Sequence, residues 1–120
     1  MDAATMMKTA TILLGLTALG GLLMAIMRFS GAERPPSWIA MGHGLLAGSG
    51  LTLLLYAGFT AGMATPAWIG LLLLAAAALG GIYLNLAFHA KLLAIPKNIV
   101  VAHALLAVTG FLIIAWTAFR

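Results

Sequence analysis

Two histidines occupy matching positions in the sequence, and their residue type is the one best suited to chemistry in this chain. His43 lies in the run GHGLLA, and His103 lies 60 residues later in the run AHALLA. Imidazole is a common ligand for transition metals, and it titrates near neutral pH. The chain has no cysteine, which excludes disulfides, thiolate metal sites and iron–sulfur clusters. Histidine is therefore the main candidate ligand.

The matching histidines belong to an internal repeat with a constant offset of 60 residues. Of the 60 aligned pairs, 16 are identical, and Pro36 with Pro96 is one of them. A fixed period of this kind is the signature of a repeated structural unit. We interpret the chain as a single domain made of two tandem helical hairpins, residues 1–60 and 61–120.

The composition predicts that these hairpins lie in a membrane. The 120 residues are 64% hydrophobic and 7% charged, whereas soluble domains are about 25% charged. Four apolar stretches, residues 8–29, 38–60, 67–90 and 98–119, are each long enough to cross a hydrocarbon core of about 30 Å. Charged and proline-containing segments separate them. The predicted fold is an all-α integral membrane bundle of four transmembrane helices, with a pseudo-twofold axis along the membrane normal.

This arrangement predicts that the two histidines face each other. Each is the sixth residue of its apolar stretch, so both lie about 8 Å inside the same membrane face. Imidazoles on opposite sides at equal depth predict bis-histidine ligation of one haem b. Small residues on the same helices would leave space for the porphyrin; they are Gly42, Gly44, Gly50, Ala102, Ala104 and Gly110. Basic residues at that end would bind the propionates; they are Arg28, Arg34 and Lys97.

A third histidine breaks the symmetry. His89 aligns with Phe29, and Asn85 lies one helical turn deeper on the same side. One interpretation is a hydrogen-bonding site for the edge of a quinone, or a proton acceptor beside the haem. The other is an interfacial histidine, with Asn85 bonding across helices. A second haem held by His89 alone is a further alternative.

The distribution of basic residues predicts the orientation of the chain. Four basic residues lie at the ends of the first and third stretches or in the loops after them, and two lie at the other end. They are Arg28, Arg34, Lys91 and Lys97 against Lys8 and Arg120. The positive-inside rule therefore places both termini in the periplasm and the histidine end toward the cytoplasm. We therefore attribute the formal net charge of +4 to membrane topology and not to nucleic-acid binding.

The sequence resembles a group of short four-span bacterial inner-membrane proteins. The motifs that carry the resemblance are Pro35-Pro36 with His43-Gly44-Leu45-Leu46-Ala47, and Phe88-His89 with Pro96 and His103-Ala104-Leu105-Leu106-Ala107. The match covers nearly the whole chain and implies the bacterial inner membrane without an established activity. In plan the chain is also similar to small four-helix membrane b-type cytochromes that exchange electrons with quinones. Those cytochromes commonly carry two haems, whereas only His43 and His103 fit a paired role here.

The predicted function is electron transfer between a quinone or quinol and a partner redox protein. The chain would act as a quinone-linked oxidoreductase or its electron-transfer subunit, with one haem b. The alternative is a cofactor-free accessory or assembly subunit of a larger membrane complex, and another macrocycle on the same histidines also stays open. A transporter is least favoured, because no acidic residue lies inside a span. The expected partners are the lipid bilayer, a quinone, and a larger redox complex or further copies of the chain.

Overall fold

The computed structural model describes residues 1–120, and helices account for most of them. The helices are α1 (Ala3–Phe29), α2 (Ser37–Thr60), α3 (Thr65–Leu84) and α4 (Lys97–Phe119), and a π-helical turn, Asn85–His89, extends α3. There is no strand. Four helices, with α3 counted together with its π-helical turn, are long and apolar enough to cross a membrane. The prediction of an all-helical chain with four such helices is confirmed.

Capping decides where the helices begin. α1 starts at Ala3, earlier than the predicted residue 8, because the Asp2 carboxylate accepts a hydrogen bond from the Thr5 N–H at 2.8 Å. The same backbone hydrogen bond lowers the pKa of Asp2. α2 and α4 begin directly after Pro36 and Pro96, because proline fixes φ near its helical value and has no N–H to leave unpaired.

The four helices form a closed ring. α1 packs closely on α2 and α3 on α4, while α4 closes the ring against α1 and the contact between α2 and α3 is the thinnest. The backbones of the diagonal pairs, α1 with α3 and α2 with α4, stay apart. The molecule measures 42 × 21 × 20 Å, and its long dimension agrees with about 40 Å for the longest helix at 1.5 Å per residue. The two helices that carry the paired histidines are therefore diagonal.

The hydrophobic core fills only one half of the bundle, the half that holds the chain ends and the turn between α2 and α3. The core residues are Met7, Ala10, Leu14, Leu54, Ala67, Leu71, Leu74, Ile114 and Ala118. Burial ends at Thr17 on α1 and at Ala77 on α3. Beyond that level, every helical residue of the other half keeps part of its surface accessible. We call this other half the histidine half.

The two hairpins pack in the same way. A methyl group on Gly50 would lie 2.7 Å from Cγ of Leu14, and one on Gly110 would lie 2.9 Å from Cγ of Leu74 and 2.9 Å from the carbonyl oxygen of Gly70. Only hydrogen fits at these positions, so the helices of each hairpin come into close contact. Residues aligned at an offset of 60 thus make equivalent contacts in the two hairpins.

Candidate functional site

The two paired histidines meet at the centre of the histidine half. The ring centroids of His43 and His103 are 6.2 Å apart, and the ring planes are inclined by 65°. One imidazole comes from α2 and the other from the diagonal helix α4, so the two approach each other across the middle of the bundle. Both side chains are half-buried. The structure brings together the two residues that the sequence repeat predicts as a pair.

Each imidazole is held by one hydrogen bond to the neighbouring helix of its own hairpin. Nδ1 of His43 lies 2.9 Å from the carbonyl oxygen of Thr17, and Nδ1 of His103 lies 2.7 Å from that of Ala77. A carbonyl oxygen can only accept, so each Nδ1 carries the proton and donates it. In the neutral ring, the unprotonated Nε2 is then the nitrogen that can bind a metal. Metal-binding histidines are commonly oriented by a second-nitrogen hydrogen bond of this kind.

Glycine pairs on α1 and α3 make room for the imidazoles. A methyl group on Gly21 would lie 2.9 Å from Cε1 of His43, and one on Gly81 would lie 3.2 Å from Cε1 of His103. The preceding residues, Gly20 and Gly80, face Nδ1 of the same rings at 3.9 and 3.7 Å. Sequence reasoning missed these contacts, because paired glycines in a membrane helix suggest general helix packing. The available signal was that both pairs recur at the offset of the histidines.

The donor set determines what these imidazoles could hold. No group of three or more His, Cys, Asp or Glu side chains that could hold a metal ion occurs in the chain. Two imidazoles fill only half of a tetrahedral zinc site, whereas haem iron already has porphyrin nitrogens and needs only axial ligands. Two metal–imidazole bonds of about 2 Å each would require the two Nε2 atoms to lie about 4 Å apart, and the ring centroids lie 6.2 Å apart. In number and residue type, the two imidazoles match the axial ligands that a haem needs.

The small residues predicted to flank the macrocycle have different surroundings. A methyl group on Gly42 or Gly44 would meet no other atom within 4 Å. Ala102 is exposed and Ala104 is half-buried. Gly50 and Gly110 are buried at the helix contacts described above, away from the two imidazoles. A role of these residues beside a cofactor stays a prediction.

Two of the predicted basic residues connect the loops of the two hairpins. Nε of Arg28 donates to the carbonyl oxygen of Ile95 at 2.7 Å, and Nη1 of Arg34 donates to that of Leu92 at 2.8 Å. Lys97 is exposed at the start of α4, apart from these bonds. Arg28, in the last turn of α1, and Arg34, in the loop after it, thus fasten this end of the first hairpin to the loop after α3. Sequence reasoning did not predict this role.

The third histidine lies apart from the central pair. The π-helical turn ends α3 and places Nε2 of His89 at 2.8 Å from the carbonyl oxygen of Pro35. Turns of this kind are frequent at functional sites. His89 lines a pocket of about 490 Å³ together with Arg34 and Ser37, whereas Asn85 is exposed and does not line it. The two polar residues predicted to act together are therefore not gathered into one pocket.

No protein-family model, curated protein or solved structure matches the chain. The case for a function therefore depends on the geometry of the paired histidines. That geometry consists of matched hydrogen bonds, matched glycine pairs and one close approach of two rings.

Proposed function

We propose that this chain is a small integral-membrane b-type cytochrome that holds one haem b between His43 and His103. It would transfer electrons between a quinone or quinol and a partner redox protein. The observation that carries the proposal is the central pair of imidazoles, 6.2 Å apart, with each Nδ1 bound to a backbone carbonyl. When bound, the haem would supply the one-electron chemistry that the side chains themselves lack.

The four apolar helices support placement in a bacterial inner membrane. All four are long and apolar enough to span it, and the excess of basic residues at the histidine end favours the cytoplasmic side for that end. Both termini would then be periplasmic. The equivalent contacts in the two hairpins support a duplicated unit, with a pseudo-twofold axis along the membrane normal.

The chain itself would contribute orientation and space. The carbonyl groups of Thr17 and Ala77 keep the proton on Nδ1 and leave Nε2 free to bind iron. Glycine pairs keep α1 and α3 free of side chains beside the rings. The hydrophobic core stops below this level, and the helical residues around the two imidazoles keep part of their surface accessible.

The test is a dithionite-reduced minus air-oxidised spectrum, with haem quantified as the pyridine haemochrome, on the full chain purified in mild detergent. We expect about one haem b per chain with low-spin bands. His43→Ala and His103→Ala should each lose the low-spin signal, while the matched control His89→Ala keeps it. Circular dichroism of every variant checks that the helices are retained.

Two outcomes would contradict the proposal. A full haem complement in both single variants would show that these histidines are not the ligands. A helical, colourless protein after expression with an ample haem supply would favour the accessory or assembly subunit. Co-purification of a larger complex from native membranes would then identify its partner.

A further inference from the structure

The pocket beside His89 is a second site, separate from the paired histidines. Its volume is about 490 Å³, and neither His43 nor His103 lines it. It lies where the loop before α2 meets the end of α3. Cationic, hydroxyl and imidazole groups share its wall with apolar side chains, so a ligand with a polar head and an apolar body would match it.

The polar side of the pocket is built from hydrogen-bond donors. Arg34 uses Nη1 for the carbonyl oxygen of Leu92 at 2.8 Å and for the Glu33 carboxylate at 3.4 Å. A guanidinium has five N–H groups, so donors remain on Nε and Nη2. Glu33 is 71% exposed and does not line the pocket. Ser37 adds a hydroxyl, and Nε2 of His89 already donates to the carbonyl oxygen of Pro35 at 2.8 Å.

The surroundings of the pocket favour an anionic headgroup. Four basic residues and one acidic residue lie at this end; they are Arg28, Arg34, Lys91 and Lys97 against Glu33. The apolar side chains of Met27 and Leu92 also line the pocket, and Leu92 is 73% exposed. Arginine binds phosphate oxygens with paired N–H donors, and basic groups next to a membrane attract anionic lipids.

We propose that this pocket binds the phosphate of an anionic phospholipid, with Arg34 as its main cationic contact and Ser37 as a further donor. The acyl chains would cover Met27 and Leu92. The inference rests on the membrane placement given under the proposed function and does not depend on haem. Carbonate extraction of membranes that contain the chain tests the placement first, since release of the chain into the soluble fraction would overturn the placement itself.

Native mass spectrometry of the full chain in mild detergent tests the pocket. The probes are phosphatidylglycerol, phosphatidylcholine with the same acyl chains, and inorganic phosphate. We expect phosphatidylglycerol to bind at least about fivefold more tightly than phosphatidylcholine. Arg34→Gln should remove this preference, while Lys91→Gln, which removes a charge at the same end but outside the pocket lining, should preserve it.

Ser37→Asp keeps the test decisive if Arg34→Gln weakens the loop contact. A carboxylate in the first turn of α2 favours the helix dipole but repels phosphate, so this variant should stay folded and lose the preference. Equal binding of the two lipids to the unmodified chain would overturn the proposal. Equal losses in Arg34→Gln and Lys91→Gln would also overturn it, because they would indicate diffuse charge attraction. Displacement of the lipid by inorganic phosphate alone would likewise overturn it, because the pocket would then be a site for the free anion.

Discussion

Exchanging one glycine for alanine beside His43 tests whether the imidazole is held as described. The perturbation is Gly21→Ala, and its matched control is Gly20→Ala one residue earlier. A methyl group on Gly21 would lie 2.9 Å from Cε1 of His43, whereas one on Gly20 would make an ordinary contact with Nδ1 at 3.9 Å. The first variant must displace the ring, and the second need not.

The expected difference follows from these two distances. Both exchanges gain about 1 kcal/mol of helix propensity, which cancels between the variants. Overpacking at Gly21 costs about 1–3 kcal/mol, and loss of the bond from Nδ1 of His43 to the Thr17 carbonyl costs about 0.5–1.5 kcal/mol more. We therefore expect the free energy of unfolding of Gly21→Ala to be about 1.5–4.5 kcal/mol below that of Gly20→Ala.

Reversible unfolding in mixed micelles, followed by circular dichroism, measures this difference without any cofactor. The haem content of the same preparations gives a second readout, and displacement of the ring should lower it in Gly21→Ala more than in Gly20→Ala. If Gly21→Ala is as stable as Gly20→Ala, the imidazole does not pack against α1 as described, and the reasoning on its orientation fails.

Two further predictions concern the helix contacts and the cap of α1. Gly110→Ala should lower the free energy of unfolding by about 1–3 kcal/mol, because its methyl group would meet the Gly70 carbonyl oxygen at 2.9 Å. The control Gly48→Ala, whose methyl group would meet no atom within 4 Å, should be neutral or stabilising. Equal effects of the two variants in the same unfolding assay would refute this packing. The hydrogen bond from the Thr5 N–H lowers the pKa of Asp2. The cap should therefore stabilise α1 fully above the usual carboxyl pKa of about 4 and lose that effect as the pH falls through the lowered pKa. Asp2→Asn should flatten this acid dependence of the melting temperature, and an unchanged pH profile would argue against the cap.

Helix number and helix ends were predictable because their causes are local. Apolar length, prolines and turn residues act within a few positions, so the four helices appear where the sequence places them. The exception is the start of α1, where a capping carboxylate extends the helix beyond the hydrophobic run. The close approach of His43 and His103 agrees with the equal positions along their helices that a fixed offset and a constant rise per residue predict.

The inward-facing side of each helix was not predictable from hydropathy. Apolar residues surround each helix almost evenly, so no hydrophobic stripe indicates the core. Only packing decides that glycine pairs lie beside the imidazoles and that Gly50 and Gly110 mediate helix contacts instead.

Apolar length and a fixed repeat thus account for the number of helices and for the pairing of the two histidines. What those histidines touch and how the loops are joined follow only from the packed bundle. Arg28 and Arg34 bind carbonyl groups 67 and 58 residues away, and a backbone carbonyl carries no side-chain identity that a sequence pattern could reveal. Such hydrogen bonds form only where two chain segments lie close together, and the packing of the whole bundle determines which segments do so.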